Sequence, residues 1–208
     1  MKKVISTLAV LTIAAHVNAA TQTTATDVKE TKAADNAIHK GIKASLISGN
    51  SDFKIKVKAS YAGGSISDST TEKTDSTTIG IAYQALYVQK IGFTAGIAQT
   101  NHSANGTTLR NTMLEGNATY GINDNVYVLG GLNASRYYAD STEDNDVTNE
   151  LGTGYGLQAA AGYQITKNIS AELKYASTKH SYEETKEGVD LKLDLDSTSL
   201  RLGINATF

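Results

Sequence analysis

The sequence predicts an all-β fold: an eight-stranded antiparallel up-and-down transmembrane β-barrel with short periplasmic turns and long outer loops. A short N-terminal amphipathic helix or linker is expected before it. Three observations carry this reading. Eight segments alternate apolar and polar residues with a period of two. The connections between them alternate short and long. The chain of 208 residues has no Pro, Cys or Trp. Absence of Pro suits strands paired on both sides, because Pro removes a ladder donor.

The first residues read as an export signal. Met1-Lys2-Lys3 is a basic start, residues 4–15 are mostly apolar, and Val17-Asn18-Ala19 offers small residues for cleavage. Residues 1–19 are therefore predicted to be a signal peptide. The apolar run falls short of the ~20 residues a spanning helix needs. Residues 20–52 are predicted to be a periplasmic segment. Within it Ala34, Ile38, Ile42 and Leu46 recur every four residues among Lys29, Glu30, Lys32, Lys40 and Lys43. That is helical spacing over 28–48, with Asp27 and Glu30 as a capping box and Gly49-Asn50 as a stop. A linker, or an extra strand over 42–48, are the alternatives.

Residues 53–208 are assigned to the barrel. The alternating segments are 53–61, 78–87, 91–98, 114–122, 126–135, 155–163, 169–176 and 200–208. Each is near the ~9–11 residues of a tilted membrane strand. Short turns are expected at 88–90, 123–125 and 166–168, and long loops near 62–76, 100–109, 139–151 and 180–193. The stretch from Tyr120 to Val126 parallels that from Tyr163 to Ile169, as in hairpins built on one plan. Leu191, Leu193 and Leu195 are out of phase with Leu200 to Phe208. Projection of 191–195 beyond the bilayer, rather than a bulge near 196–199, is the preferred explanation.

Alternation alone leaves open which face meets lipid. A soluble lipocalin-like barrel has its apolar face inside, whereas a membrane barrel has it outside. Aromatic placement favours the membrane case. Phe53, Tyr87, Tyr120, Tyr163 and Phe208 fall on the apolar face at the short-turn end, and Tyr61, Tyr155 and Tyr175 fall toward the long loops. Two such rings form an interfacial girdle. The opposite face is rich in Gly and Ala and carries Lys54, Lys56, Lys58, Lys174, Arg201, Glu115 and Glu172. Charges of both signs in a narrow lumen are expected to pair, because an unpaired buried charge is costly.

The last strand has Arg201, Gly203, Ala206 and Phe208 at alternating polar, small and apolar positions. This resembles the C-terminal assembly signal of bacterial outer-membrane proteins. Together with the export signal and the eight segments, it makes 53–208 similar to the OmpA/OmpX-type and opacity-protein family of small outer-membrane barrels. Segment 28–48 resembles the helix that precedes the barrel in lipid A palmitoyltransferases. The resemblance implies residence in the cell outer membrane of a Gram-negative bacterium, as a monomer, among outer-membrane lipid and lipopolysaccharide. It implies handling by the export and barrel-assembly machinery, and a host or surface ligand met through the long loops.

Catalytic signals are weak. His16, His39, His102 and His180 share no metal-ligand spacing, so no metal and no cofactor is expected. His102 with Asp140 and Ser141 is the nearest match to a lipid-modifying constellation, and Asp-Ser pairs recur throughout. The acidic loop with Asp140, Glu143, Asp144, Asp146 and Glu150 lacks the Gly and terminal Glu of an EF-hand. A net charge of -2 argues against nucleic acid. The expected function is structural, surface-interacting or adhesive, without catalysis. The alternatives are a narrow pore, a lipid A-modifying enzyme and a soluble binding barrel.

Overall fold

The computed structural model describes residues 37–104, 107–140, 148–186 and 188–208. The proposed signal peptide and the first part of the proposed helix lie outside the described residues. The barrel is the unit Ala37–Thr207. Its strands are β1 (Ala37–Tyr61), β2 (Gly64–Tyr87), β3 (Lys90–Ala104), β4 (Thr107–Gly121), β5 (Val126–Asp140), β6 (Thr148–Gln164), β7 (Ile169–Lys186) and β8 (Val189–Thr207). They close in sequence order. The seam runs antiparallel from Lys43 opposite Thr207 to Ser60 opposite Asp190.

The helix is overturned where it can be seen. Residues 37–48 are strand, and β1 runs unbroken through position 53, where the barrel was expected to begin. Residues 43–48 are paired with both β2 and β8, and 37–42 with β2. Its apolar residues also fit period two: Ile42, Ala44 and Leu46 lie on one face, with Lys43 and Ile47 buried on the other.

The long loops are also largely strand. β1 and β2 remain paired up to Tyr61 and Gly64, and β7 and β8 up to Lys186 and Val189. Ser, Thr and Asp hide the period there, but a ladder needs only backbone groups. At the β7–β8 tip Gly188 has φ +80°, a conformation only Gly adopts freely.

Two of the three short turns, β4–β5 and β6–β7, follow one design. Asn123 Oδ1 accepts from the backbone N–H groups of Asn125 and Val126 at 2.9 and 2.8 Å. Thr166 Oγ1 does the same for Asn168 and Ile169 at 3.3 and 3.1 Å. Both are side-chain-closed turns, in which a short polar residue supplies the acceptor.

The barrel is inside-out. Ile79, Ile81, Leu114 and Leu157 are 55%, 58%, 62% and 66% exposed, which overturns the lipocalin-like alternative. The inward residues of the same strands are Thr78, Asn117, Gln158 and their like, all buried. The outward apolar belt ends on the long-strand side at Thr77, Gln99, Thr112, Arg136, Thr153, Ser177 and Thr198, the next outward residues.

Above that line the polarity inverts. Register is continuous through β8, so no bulge separates Leu195 from Leu200. Leu191, Leu193 and Leu195 lie on the inner face, while Asp190, Lys192, Asp194 and Asp196 lie on the outer one. β1 does the same, with Ile55, Val57 and Ala59 opposite these leucines and Phe53 opposite Ser197. The first segment of the sequence reading is therefore not a lipid-facing strand. It is the part of β1 that projects into water.

Candidate functional site

The lumen is filled from end to end. Near the short turns Leu86, Tyr127, Leu129 and Ala160 form an apolar cluster. Above it Lys43 Nζ donates to Glu172 at 2.7 Å, and both are buried. Tyr127 Oη and Asn205 Nδ2 also donate to Glu172, at 3.1 and 3.4 Å. Lys174 Nζ donates to Glu115 at 2.5 Å. Between these pairs the cavity has a volume of about 30 Å³, room for roughly one water. Arg201 Nη1 donates to Thr78 and Thr100 at 2.6 and 3.0 Å.

Higher still, β6 offers no side chain at Gly154 and Gly156. His180 on β7 crosses that gap and meets Ser135 on β5, with Nε2 2.8 Å from Oγ. Thr178 crosses it to Asn133 at 3.2 Å. A Cβ at Gly154 would overlap the His180 ring. Phe53, Tyr137 and Leu195 close the top. His102 packs on Phe53 at 4.8 Å, and Tyr137 on His180 at 4.4 Å. This aromatic cap sits at or above the end of the outer apolar belt.

Glu115, Glu172, Lys174 and Arg201 are thus brought together inside the barrel. Lys54, Lys56 and Lys58 are not: all three are exposed on the outer face of the projecting sheet. Lys54 stands opposite Asp196, Lys56 opposite Asp194 and Lys58 opposite Lys192. Lys192 Nζ donates to Glu183 at 2.7 Å. That bond, with Asp194 nearby, holds the ammonium above the ordinary lysine range.

The proposed girdle divides similarly. Tyr120, Tyr163, Tyr155 and Tyr175 are outward and exposed. Tyr87, past a register shift, is half-buried. Phe53 is buried in the cap instead. Tyr61 is at the β1–β2 tip, its ring close to Gly63 and Gly64. Gly203 and Arg201 face inward, and a Cβ at Gly203 would crowd Ile47. Ala206 pairs with Ala44 and Ile169. Phe208, after the last paired residue, is exposed. Sequence reasoning missed Lys43, Tyr127, Tyr137, His102 and His180 as lumen groups. Lys43 had a usable signal, because it alternates with Ile42 and Ala44.

A closed barrel with an ion-paired polar lumen inside an apolar belt is a transmembrane β-barrel of the bacterial outer membrane. By structure it is similar to three proteins in particular. Neisserial surface protein A has 19% identity and TM-score 0.46, over 79% of this chain and 99% of that one. The outer membrane protein OprG from Pseudomonas aeruginosa has 11% identity and TM-score 0.48, over 82% and 97%. The outer membrane protease OmpT from Escherichia coli has 12% identity and TM-score 0.45, over 86% and 99%. No protein-family model matches the chain, and no curated protein matches it. At these scores the likeness supports nothing about activity, and the class assignment rests on this chain's own burial pattern.

Proposed function

We propose that the protein is a closed, non-catalytic monomer whose work is done at the cell surface by its projecting strands. One observation carries this. The lumen holds two ion pairs, an arginine bonded to two hydroxyls and an aromatic cap, while β1, β2, β7 and β8 continue past the membrane as a paired sheet. Eight strands leave an interior that side chains fill, and these do so with matched charges. A steady pore would have to break the buried pairs.

Ser135 and His180 are within hydrogen-bond reach, but both are buried in the packed lumen, away from any substrate. A nucleophile needs a base oriented by a third group and a path for substrate. The bond is better read as a brace across β6. The outer leaflet around the belt would be lipopolysaccharide, with the Lys and Asp rungs of the outer face next to its headgroups.

Planar-bilayer recording of the refolded protein tests closure. No sustained conductance step is expected at neutral pH, and a stable open level would overturn the closed reading. Replacing 55–70 by a two-residue turn tests the surface role. The barrel should keep its heat-modifiable gel shift, and outer-membrane vesicles should lose attachment to host-cell monolayers. Unchanged attachment would count against it.

A further inference from the structure

The inner face of the projecting sheet is apolar yet lies outside the membrane. Ile66 and Val57 are 66% and 43% exposed, and Leu191 is also exposed. Ile55, Ala59, Leu193 and Tyr182 are partly so. Water-facing apolar patches of this kind mark binding surfaces.

Among residues with described side chains, the charge on this face is negative. Asp68 stands opposite Val57 and Glu72 opposite Phe53. Glu184 stands opposite Leu191 and accepts from Tyr182 Oη at 3.3 Å. Six cations of the same sheet, Lys54, Lys56, Lys58, Lys73, Lys179 and Lys192, occupy the outer face by the same register, and Lys186, the last residue of β7, pairs with Val189 at the tip. So among residues with described side chains, the basin offers apolar walls, carboxylates from the level of Phe53 up to the rim, and no cation. The cap of Phe53, Tyr137 and Leu195 makes its floor, so an occupant stops there.

We infer that this basin binds a small amphiphilic cation, an apolar body carrying a single positive charge. The apolar walls supply burial, and Asp68, Glu72 and Glu184 select the sign of charge. An anionic amphiphile of the same shape would meet like charge at the rim.

The proposal deepens the surface reading and fails separately from it, because conductance reports closure and occupancy reports the basin. The test uses the full barrel in phosphatidylcholine nanodiscs, with Leu, Val and Ile methyl groups labelled for NMR. The probes are tetraphenylphosphonium and tetraphenylborate, which share a shape and differ in sign. The cation should shift the methyls of Val57, Leu191 and Leu193 and leave those of Leu157 and Leu202, which face lipid. It should bind roughly tenfold more tightly than the anion.

The double change Asp68→Asn and Glu72→Gln should bring the two probes within about twofold of each other. Val57→Lys should abolish the shifts while keeping the heat-modifiable gel shift, and Lys56→Ala should change nothing. Equal binding of the two probes, shifts spread over the lipid-facing methyls, or binding that survives Val57→Lys would overturn the proposal.

Discussion

The membrane half and the projecting half of β1 and β8 are the same strands in the same register, with opposite polarity. In the membrane half Leu200, Leu202 and Ile204 face out, and Arg201 and Asn205 face in. In the projecting half Leu191, Leu193 and Leu195 face in, and Asp190, Lys192, Asp194 and Asp196 face out. What differs is the medium outside the wall. Lipid rewards apolar residues on the outside and forces the polar ones together in the lumen. Water reverses that preference. The point where the phase flips, between Leu195 and Leu200 on β8, therefore marks the membrane surface.

The largest expected effect breaks the membrane half from within. Glu172→Gln leaves Lys43 buried opposite a neutral amide, and should cost about 3–5 kcal/mol. Urea unfolding from vesicles, followed by the heat-modifiable gel shift, reads this out. The double change Lys43→Met and Glu172→Met should recover most of the loss. If it does not, the pair is doing more than neutralising itself.

The next test sets the two halves side by side. Leu202→Arg places a cation against lipid near the middle of the belt, and should cost about 2–4 kcal/mol. Val57→Lys, on the projecting wall, should stay within about 0.5 kcal/mol of the parent. Equal losses at the two sites would erase the distinction between the halves. Smaller still, Gly154→Ala should cost about 1–3 kcal/mol, because the His180 ring must shift or give up Ser135. The companion His180→Ala should make Gly154→Ala nearly silent. Smallest of all, Lys192→Ala removes an exposed pair with Glu183, and the unfolding midpoint should not move.

The fold was legible in the sequence wherever one face met lipid. Ile79, Ile81, Leu114 and Leu157 sit among polar or small neighbours, and period two emerges cleanly there. It failed where the medium changed. Phe53 to Tyr61 alternate as well as any membrane strand, so a pattern blind to sidedness placed them in lipid and sent Lys54, Lys56 and Lys58 into the lumen. The same mistake pushed residues 37–48 out of the barrel, where Ala34, Ile38, Ile42 and Leu46 imitate a helix stripe. The phase break at Leu191 to Leu195 was the available clue, and its reading as projection agrees with the continuous register of β8. The cap was not legible, because Phe53, His102, Tyr137 and His180 come from four strands, and only closure of the barrel brings them together.

The seam between β1 and β8 has a consequence for assembly. Every other pairing joins neighbours in the chain, and three of those hairpins start from tight turns, so their ladders zip upward with little loop-closure entropy. The β1–β8 contact joins the two ends of the barrel and is the slow, non-local one. The ion pair Lys43–Glu172 and the contact of Phe53 with Leu195 both depend on it. The interior therefore acquires its charge balance and its cap only in the final step, and until then the chain carries an unmatched lysine that would discourage premature passage into lipid.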